Sequence, residues 1–333
     1  MSRILLPALL LMIGAVAAVA WLWQDMERQL NQPLSITEQE VLQVPPGTNL
    51  RTLSMELQRR GWMQRPVYFE IEARRTDRAR QIKAGEYAIP PGTTPRALLD
   101  LLVSGQVIQR QMTIIEGWSF RELQQAVMDS PLLRRTLSGS EQQIMAQIGC
   151  SADVPEGAFL PDTYRFPNGT TDVEFLRRAC AAMDKVLTEE WAGRAQDLPY
   201  TDPYQALIMA SVVEKETGVT EERSRIARVF VRRLKLGMRL QTDPTVIYAL
   251  GENFNGNIRR DDLELDSPFN TYLYAGLPPT PIAMPGRAAI HAALHPAEDN
   301  ALYFVARGDG THEFSATLEE HNRAVRKYQL GKE

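Results

Sequence analysis

Two glutamates close an otherwise apolar run. In ALIMASVVEKETG, residues 206–218, Glu214 and Glu216 follow Leu207, Ile208, Met209, Val212 and Val213. Ionised carboxylates are costly to bury, so a pair at the end of a core-forming segment points either to acid–base chemistry or to an ion pair. A carboxylic acid kept un-ionised near neutrality can protonate a leaving oxygen.

The segment reads as a helix of about fifteen residues, with Asp202 as N-cap, Pro203 in the first turn and Gly218 just past the end. Residues two apart point roughly 200° apart on a helix. Glu214 and Glu216 therefore cannot form together the carboxylate pair of a retaining glycosidase, which needs a spacing of about 5 Å. Glu214 shares its face with Leu207, Ala210, Ser211 and Gly218, mostly small side chains that leave room for a ligand. It is expected to open into a cleft. Glu216 shares its face with Met209 and Val212 and is expected to be packed, or solvated past the helix end. Both lie at the negative end of the helix dipole, which together with partial burial pushes a carboxyl pKa upward. The alternative is a salt bridge from Lys215, Arg223 or Arg225 to Glu214.

Other elements must position this helix end. The loop PEGAFLPDTYRFPNGT, residues 155–170, carries Glu156, Asp162, Tyr164 and Arg165, and either lines a site or forms an ordered turn. It lies between segments 121–148 and 173–192, which have apolar residues at helical spacing. From Gln241, QTDPTVIYALG reads as a helix, and SPFNTYLYAGLPPTPIAMPG as a long loop. Tyr, Asn and Pro without charge suit a surface that stacks on sugars or peptides. ALYFVARGDGTHEFS predicts a hairpin, and HNRAVRKYQ a closing helix. His291 and His295 in HAALH have i,i+4 spacing, but no third ligand is evident nearby, so no metal site is expected.

Upstream, VPPGTNLRTLSMEL, IPPGTTPRALLDLL and IIEGWSFRELQQAV repeat one pattern, with Gly47, Gly92 and Gly117 each followed by an arginine and a leucine at fixed spacing. The pattern predicts strand, glycine turn and helix, with Asn49, Thr94 and Ser119 as N-caps and Pro95 at a first helical position. Alternatively the repeat marks only recurring turn chemistry. Residues 42–108 read as a compact α+β module of strand-helix-helix-strand type with a further helix.

The chain has 333 residues, enough for two or three domains. Its net charge is -4 with Lys and Arg dispersed, so nucleic acid is set aside as a partner. ILLPALLLMIGAVAAVAWLW, residues 4–23, lacks charge and can span a hydrocarbon core of about 30 Å. It is longer than a signal-peptide core, so an uncleaved anchor is expected rather than a leader cut after Ala18-Val19-Ala20. Arg3 before it and Asp25 and Glu27 after it favour a cytoplasmic N-terminus, residues 1–3, followed by a tether over 24–41. Cys150 and Cys180 are expected as two buried thiols, with a disulfide as the alternative.

Read together, ASVVEKET at 210–217, EGAFLPDTY at 156–164, RLQTDPTVIY at 239–248, NTYLYAGLPPTPIAMPG at 270–286 and LYFVA at 302–306 resemble the YceG-like endolytic murein transglycosylases. The resemblance implies an α+β protein: an N-terminal transmembrane helix, a small LysM-like subdomain over 42–108, and a larger, mainly helical catalytic domain with short strands over 109–333. It implies a single-pass protein of the inner membrane with its catalytic domain in the periplasm. Such an enzyme cleaves peptidoglycan glycan strands between MurNAc and GlcNAc, without water and without a cofactor, and trims new strands beside penicillin-binding proteins and other wall synthases. The family's catalytic glutamate falls at Glu214. Gln241, Asp243, Tyr248, Asn270, Tyr272, Asp162 and Tyr164 are the expected substrate-binding residues. Two other readings remain open: a non-catalytic glycan-binding scaffold, and a two-carboxylate muramidase completed by Asp243 or Asp162.

Overall fold

The computed structural model describes residues 2–331, with side chains from Leu9 to Gly331. Met1 of the expected cytoplasmic tail, and Lys332 and Glu333, lie outside the described residues. The chain divides into two compact units, 1–110 and 111–333.

The first unit begins with helix α1, Ser2–Asn31. Its segment Leu9–Asn31 is long and apolar enough to cross a membrane. Then follow β1 (Glu40–Val44), α2 (Leu50–Arg59), α3 (Pro66–Arg75), β2 (Gly85–Ile89) and α4 (Pro95–Ser104), the strand-helix-helix-strand order with a further helix. β1 and β2 pair antiparallel, from Glu40 opposite Ile89 to Val44 opposite Gly85. Leu42, Leu57, Phe69, Tyr87, Leu98 and Leu99 fill the core between this strand pair and the helices.

The tether expected over 24–41 is not one. α1 runs unbroken to Asn31, and Met26 and Leu30 are buried against Tyr68 of α3. The Tyr68 hydroxyl donates to Asp25 at 2.8 Å, and Arg96 of α4 pairs with Glu27 at 2.7 Å. Leu34 and Ile36 then enter the core. The charges that read as solvated spacer are partners for arginines far along the chain.

β3 (Gln109–Thr113) runs across the boundary at residue 110 and pairs with β4 (Thr163–Pro167) of the second unit. The helices are α5 (Phe120–Asp129), α6 (Glu141–Ile148), α7 (Asp172–Ala192), α8 (Pro203–Glu216), α9 (Arg223–Lys235), α10 (Asp243–Leu250), α11 (Arg287–Leu294) and α12 (Leu318–Tyr328). The segment 121–148 is two helices. Pro131 follows the end of α5, and Ser140 restarts the chain as the capping-box residue of α6. β5 (Tyr303–Ala306) and β6 (His312–Ser315) form the expected hairpin.

The three repeats share their local structure. Gly47, Gly92 and Gly117 have φ of +79°, +84° and +77°, and Asn49, Thr94 and Ser119 cap α2, α4 and α5. The third copy stands in the other unit, so the repeat is turn chemistry used three times.

α8 is buried on every side from Ala206 to Val213, as a helix apolar all round must be. It packs among Met183 of α7, Phe230 of α9 and Ile290 of α11. A second core joins α5, α6, α7 and β4 through Leu123, Ile148, Phe159, Phe166 and Phe175. Here the two expected free thiols are instead a disulfide. Cys150, just past α6, and Cys180 of α7 are bonded with Cα atoms 5.9 Å apart. Tertiary packing of α6 on α7 brings them together, and their spacing of thirty residues carried no sign of it.

Candidate active site

Asp202 caps α8 by accepting the Gln205 N–H at 3.0 Å, and Pro203 opens the helix. The helix ends at Thr217, whose hydroxyl accepts the Val219 N–H at 2.9 Å, and Gly218 keeps an ordinary backbone conformation. This fixes Glu214 in the last turn, where its carboxylate is held from two other segments. Oε1 accepts from Arg223 of α9 at 3.1 Å, and Oε2 accepts the Gly286 N–H at 2.8 Å. The ion-pair alternative is thus realised through Arg223. The Glu214 side chain is only 5% exposed, so it lies behind the cleft wall and not open to it as its face suggested.

The same Arg223 nitrogen also donates to Glu116 at 3.4 Å. The carboxylates of Glu116 and Glu214 are therefore no further apart than those two contacts laid end to end. Gly286 makes this possible: its N–H serves Glu214, and a Cβ there would meet Glu116 Oε1 at 1.9 Å. Burial raises the Glu214 pKa, opposed by the Gly286 N–H and Arg223 and reinforced by the like charge of Glu116.

A cleft of about 720 Å³ lies beside this cluster, lined among others by Gly117, Glu156, Lys215, Tyr248, Phe269 and Ile282. Lys215 donates to the Gly117 carbonyl at 3.1 Å and closes the rim next to Glu214. Gly117 has a left-handed φ, and a side chain there would stand 3.9 Å from Glu214 Cγ. Its absence keeps the wall between cleft and carboxyl thin.

Glu156, named in the sequence only as part of a loop that either lines a site or forms a turn, is a further functional candidate. It sits in the cleft wall, accepting the Phe120 N–H at the start of α5 at 3.0 Å and the Tyr248 hydroxyl at 3.1 Å. Burial pushes its pKa up to about 7, against both hydrogen bonds. The signal was the one that marked Glu214, a carboxylate set among buried apolar residues, here Pro155 to Leu160. Gly157 locks that loop in place: with φ of +78°, it lies so close to Pro281 that a Cβ would stand 2.6 Å from the ring.

The other expected residues divide. Tyr248 lines the first cleft, its ring 4.9 Å from Phe269. Gln241, Asp243 and Tyr272 line a second cleft of about 400 Å³ with Glu216, Arg233 and His321. There Tyr272 donates to Asp243 at 2.6 Å. Burial pushes Glu216 up to about 7, against the hydroxyl of Thr242. Asn270 and Tyr164 reach neither cleft. The Asn270 amide is fully buried and ties the loop through Leu263 O, Leu265 O and the Tyr272 N–H. The Tyr164 hydroxyl donates to Leu160 O at 2.7 Å within the core. Asp162 is exposed at the edge of β4, where its carbonyl accepts the Ile114 N–H.

His291 and His295 do gain an acid, Glu190 of α7, which the spacing could not reveal. Its oxygens are taken by Arg287 at 2.7 Å and by His291 at 2.8 Å.

A family model, the YceG-like family, matches residues 42–327. The chain belongs to the YceG-like family. It is 30% identical over 311 residues to a Bacillus subtilis protein named endolytic murein transglycosylase, covering 86% of this chain and 84% of that one. A Streptococcus pneumoniae protein of the same name is 27% identical over 327 residues, and the match spans 57% of its length. A crystal structure of a YceG-like protein from Listeria monocytogenes superposes with a TM-score of 0.53 at 28% identity, over 86% of this chain and 99% of that one.

Proposed function

We propose that the chain is a lytic transglycosylase that cuts within peptidoglycan glycan strands, between MurNAc and GlcNAc, with Glu214 as its acid and then its base. Once the Lys215–Gly117 contact at the rim opens to admit the sugar, Glu214 gives its proton to the glycosidic oxygen as the bond to C1 breaks. Its carboxylate then takes the proton of the MurNAc C6 hydroxyl, whose oxygen bonds to C1 and closes a 1,6-anhydro ring. The acid is regenerated and no water is consumed. Because the nucleophile belongs to the same sugar, proximity replaces a second carboxylate. The observation that carries the reading is the Glu214 carboxyl, buried at the end of α8 beside the larger cleft with its pKa raised. Family membership and the names of the relatives support it. Tyr248 and Phe269, packed ring against ring, would give a sugar in that cleft an aromatic wall. Asn270 serves by fixing the loop that carries Tyr272.

Glu116 acts as a positioning residue. Shared with Glu116, Arg223 holds Glu214 in place, and the like charge of Glu116 opposes the downward pull of Arg223 on the Glu214 pKa. The charges facing Glu214 are Arg223 from α9, Glu116 from the loop after β3, and Lys215 from α8 itself. Rate should fall as pH rises through the raised Glu214 pKa, because the acid form is lost. Glu116→Gln removes the like charge and leaves Arg223 to Glu214 alone, so the alkaline limb should move to lower pH. Glu116→Asp should restore it. A limb unmoved by Glu116→Gln would rule out this role.

A second reading, hydrolysis by two carboxylates, draws on Glu156, an acid of pKa about 7 in the cleft wall. It differs in its products, which would carry the elements of water.

In the proposed topology α1 crosses the inner membrane with its N-terminus in the cytoplasm and the second unit in the periplasm. The disulfide supports the oxidising side of the membrane for that unit. The first unit, proposed to be a LysM-like module, would engage glycan close to the bilayer, beside penicillin-binding proteins that make new strands.

A further inference from the structure

We infer that Glu190, His291 and His295 form a binding site for a divalent transition-metal ion of the zinc class, joining the C-terminal ends of α7 and α11. The three residues line neither cleft, and the inference does not rest on the proposed activity.

One ligand atom from each side chain lies within 4.8 Å of the other two. The histidines stand four apart on α11 with their rings stacked, centroids 4.1 Å apart, and α7 supplies the third ligand that their spacing alone lacked. Ligands that share one zinc ion, each about 2.0–2.2 Å from it, stand about 3.3 Å apart. His291 Nδ1 and Glu190 Oε2 are 2.8 Å apart, so they have only to part slightly for an ion to take the place of the hydrogen between them. His295 closes the remaining gap by side-chain rotation, which its position at the surface allows.

The other polar atoms of the ligands are already held, as those of metal ligands are. Glu190 is buried, and its second oxygen accepts from Arg287 at 2.7 Å. Glu189 meets the same guanidinium at 3.3 Å and offsets its charge beside the site. His295 Nε2 faces the Gly193 carbonyl at 2.8 Å, and its Nδ1 faces the His291 carbonyl at 3.2 Å. A neutral imidazole has one N–H and can donate to only one of these oxygens. With the proton on Nε2, the Nδ1 lone pair is left against a carbonyl oxygen. A cation bound at Nδ1 removes that conflict.

The backbone favours positive charge at the same place. Glu190 stands in the last turn of α7 and Gly193 is its C-cap; His291 stands in the last turn of α11 and His295 is its C-cap. The two ends meet where the Ala195 N–H donates to Leu294 O at 3.0 Å, so the negative ends of both helix dipoles converge. Two imidazoles and one carboxylate suit zinc and its neighbours, whereas calcium and magnesium require a shell of oxygen. Gly286, whose N–H donates to Glu214, is the N-cap of α11. An ion at the far end of that helix would therefore pin the element that holds the acid.

The test uses the full chain in detergent, free of any histidine tag and stripped with chelator, titrated with Zn²⁺ by calorimetry at neutral pH. One equivalent should bind with about micromolar affinity or better. His295→Ala, which spares the contacts among Glu190, His291 and Arg287, should weaken binding at least about tenfold, and so should His291→Ala. Zn²⁺ should raise the Tm of the unaltered chain and of neither variant. Thermal unfolding without metal shows first that the variants are folded; should His291→Ala fail there, His295→Ala carries the comparison. No zinc uptake by the stripped chain overturns the inference. So does an affinity or Tm response unchanged in the folded variants, or displacement of the zinc by an equal concentration of calcium.

Discussion

Glu214→Gln should reduce release of anhydro-ended muropeptides by at least about a hundredfold, the lower end of what a positioned general acid–base group contributes. The amide keeps the shape of the side chain, and its oxygen accepts from one of Arg223 and the Gly286 N–H while its NH2 faces the other donor, so folding is checked alongside activity. What it cannot do is give a proton to the glycosidic oxygen or take one from the C6 hydroxyl. Circular dichroism and thermal unfolding of the variant check that the loss is chemical. The burial of Glu214 sharpens this prediction. A carboxyl with 5% of its side chain exposed, held by one guanidinium and one backbone N–H, has few alternative proton donors able to replace it. If the variant retained substantial activity, attention would pass to Glu156, whose acid form also persists near neutrality.

The second large effect concerns stability. Replacing Cys150 and Cys180 together by alanine opens a loop of separation thirty and should cost roughly 3–4 kcal/mol by loop-closure entropy. For a unit of this size that is a fall in Tm of roughly 10 °C. Calorimetry on the variant, and on the unaltered chain with reductant, should give similar drops. Cys180 is 2% exposed among Phe166, Phe175 and Leu176, so part of the cost would come from the small cavity that alanine leaves. An unchanged Tm in both experiments would mean that the bond is not formed in the folded protein.

What could be read from the residues follows from how local the cause is. The three caps, the proline-started helices and the terminal hairpin depend on side chains within a few positions of one another, and they stand where the sequence placed them. The end of α8 was also legible, because two carboxylates against an apolar run are conspicuous wherever the helix packs. What the pattern could not give was the partner from elsewhere in the chain. Glu116 meets Glu214 through an arginine 107 residues further along than itself, and only the gap above Gly286 admits it. The disulfide, and the docking of Asp25 and Glu27 against Arg65 and Arg96, are contacts of the same distant kind. Asn270 and Tyr164 illustrate the converse. Their residue types suit sugar binding, yet each hydroxyl or amide is spent on a nearby backbone group, an outcome that composition does not reveal.

The most direct measurement is mass spectrometry of the ends released from defined glycan strands by the full-length chain. One buried acid that serves an internal nucleophile must yield 1,6-anhydroMurNAc ends, with no oxygen taken up from isotopically labelled water. Reducing ends, one water heavier and carrying the label, would contradict the account and assign the work to a pair of carboxylates.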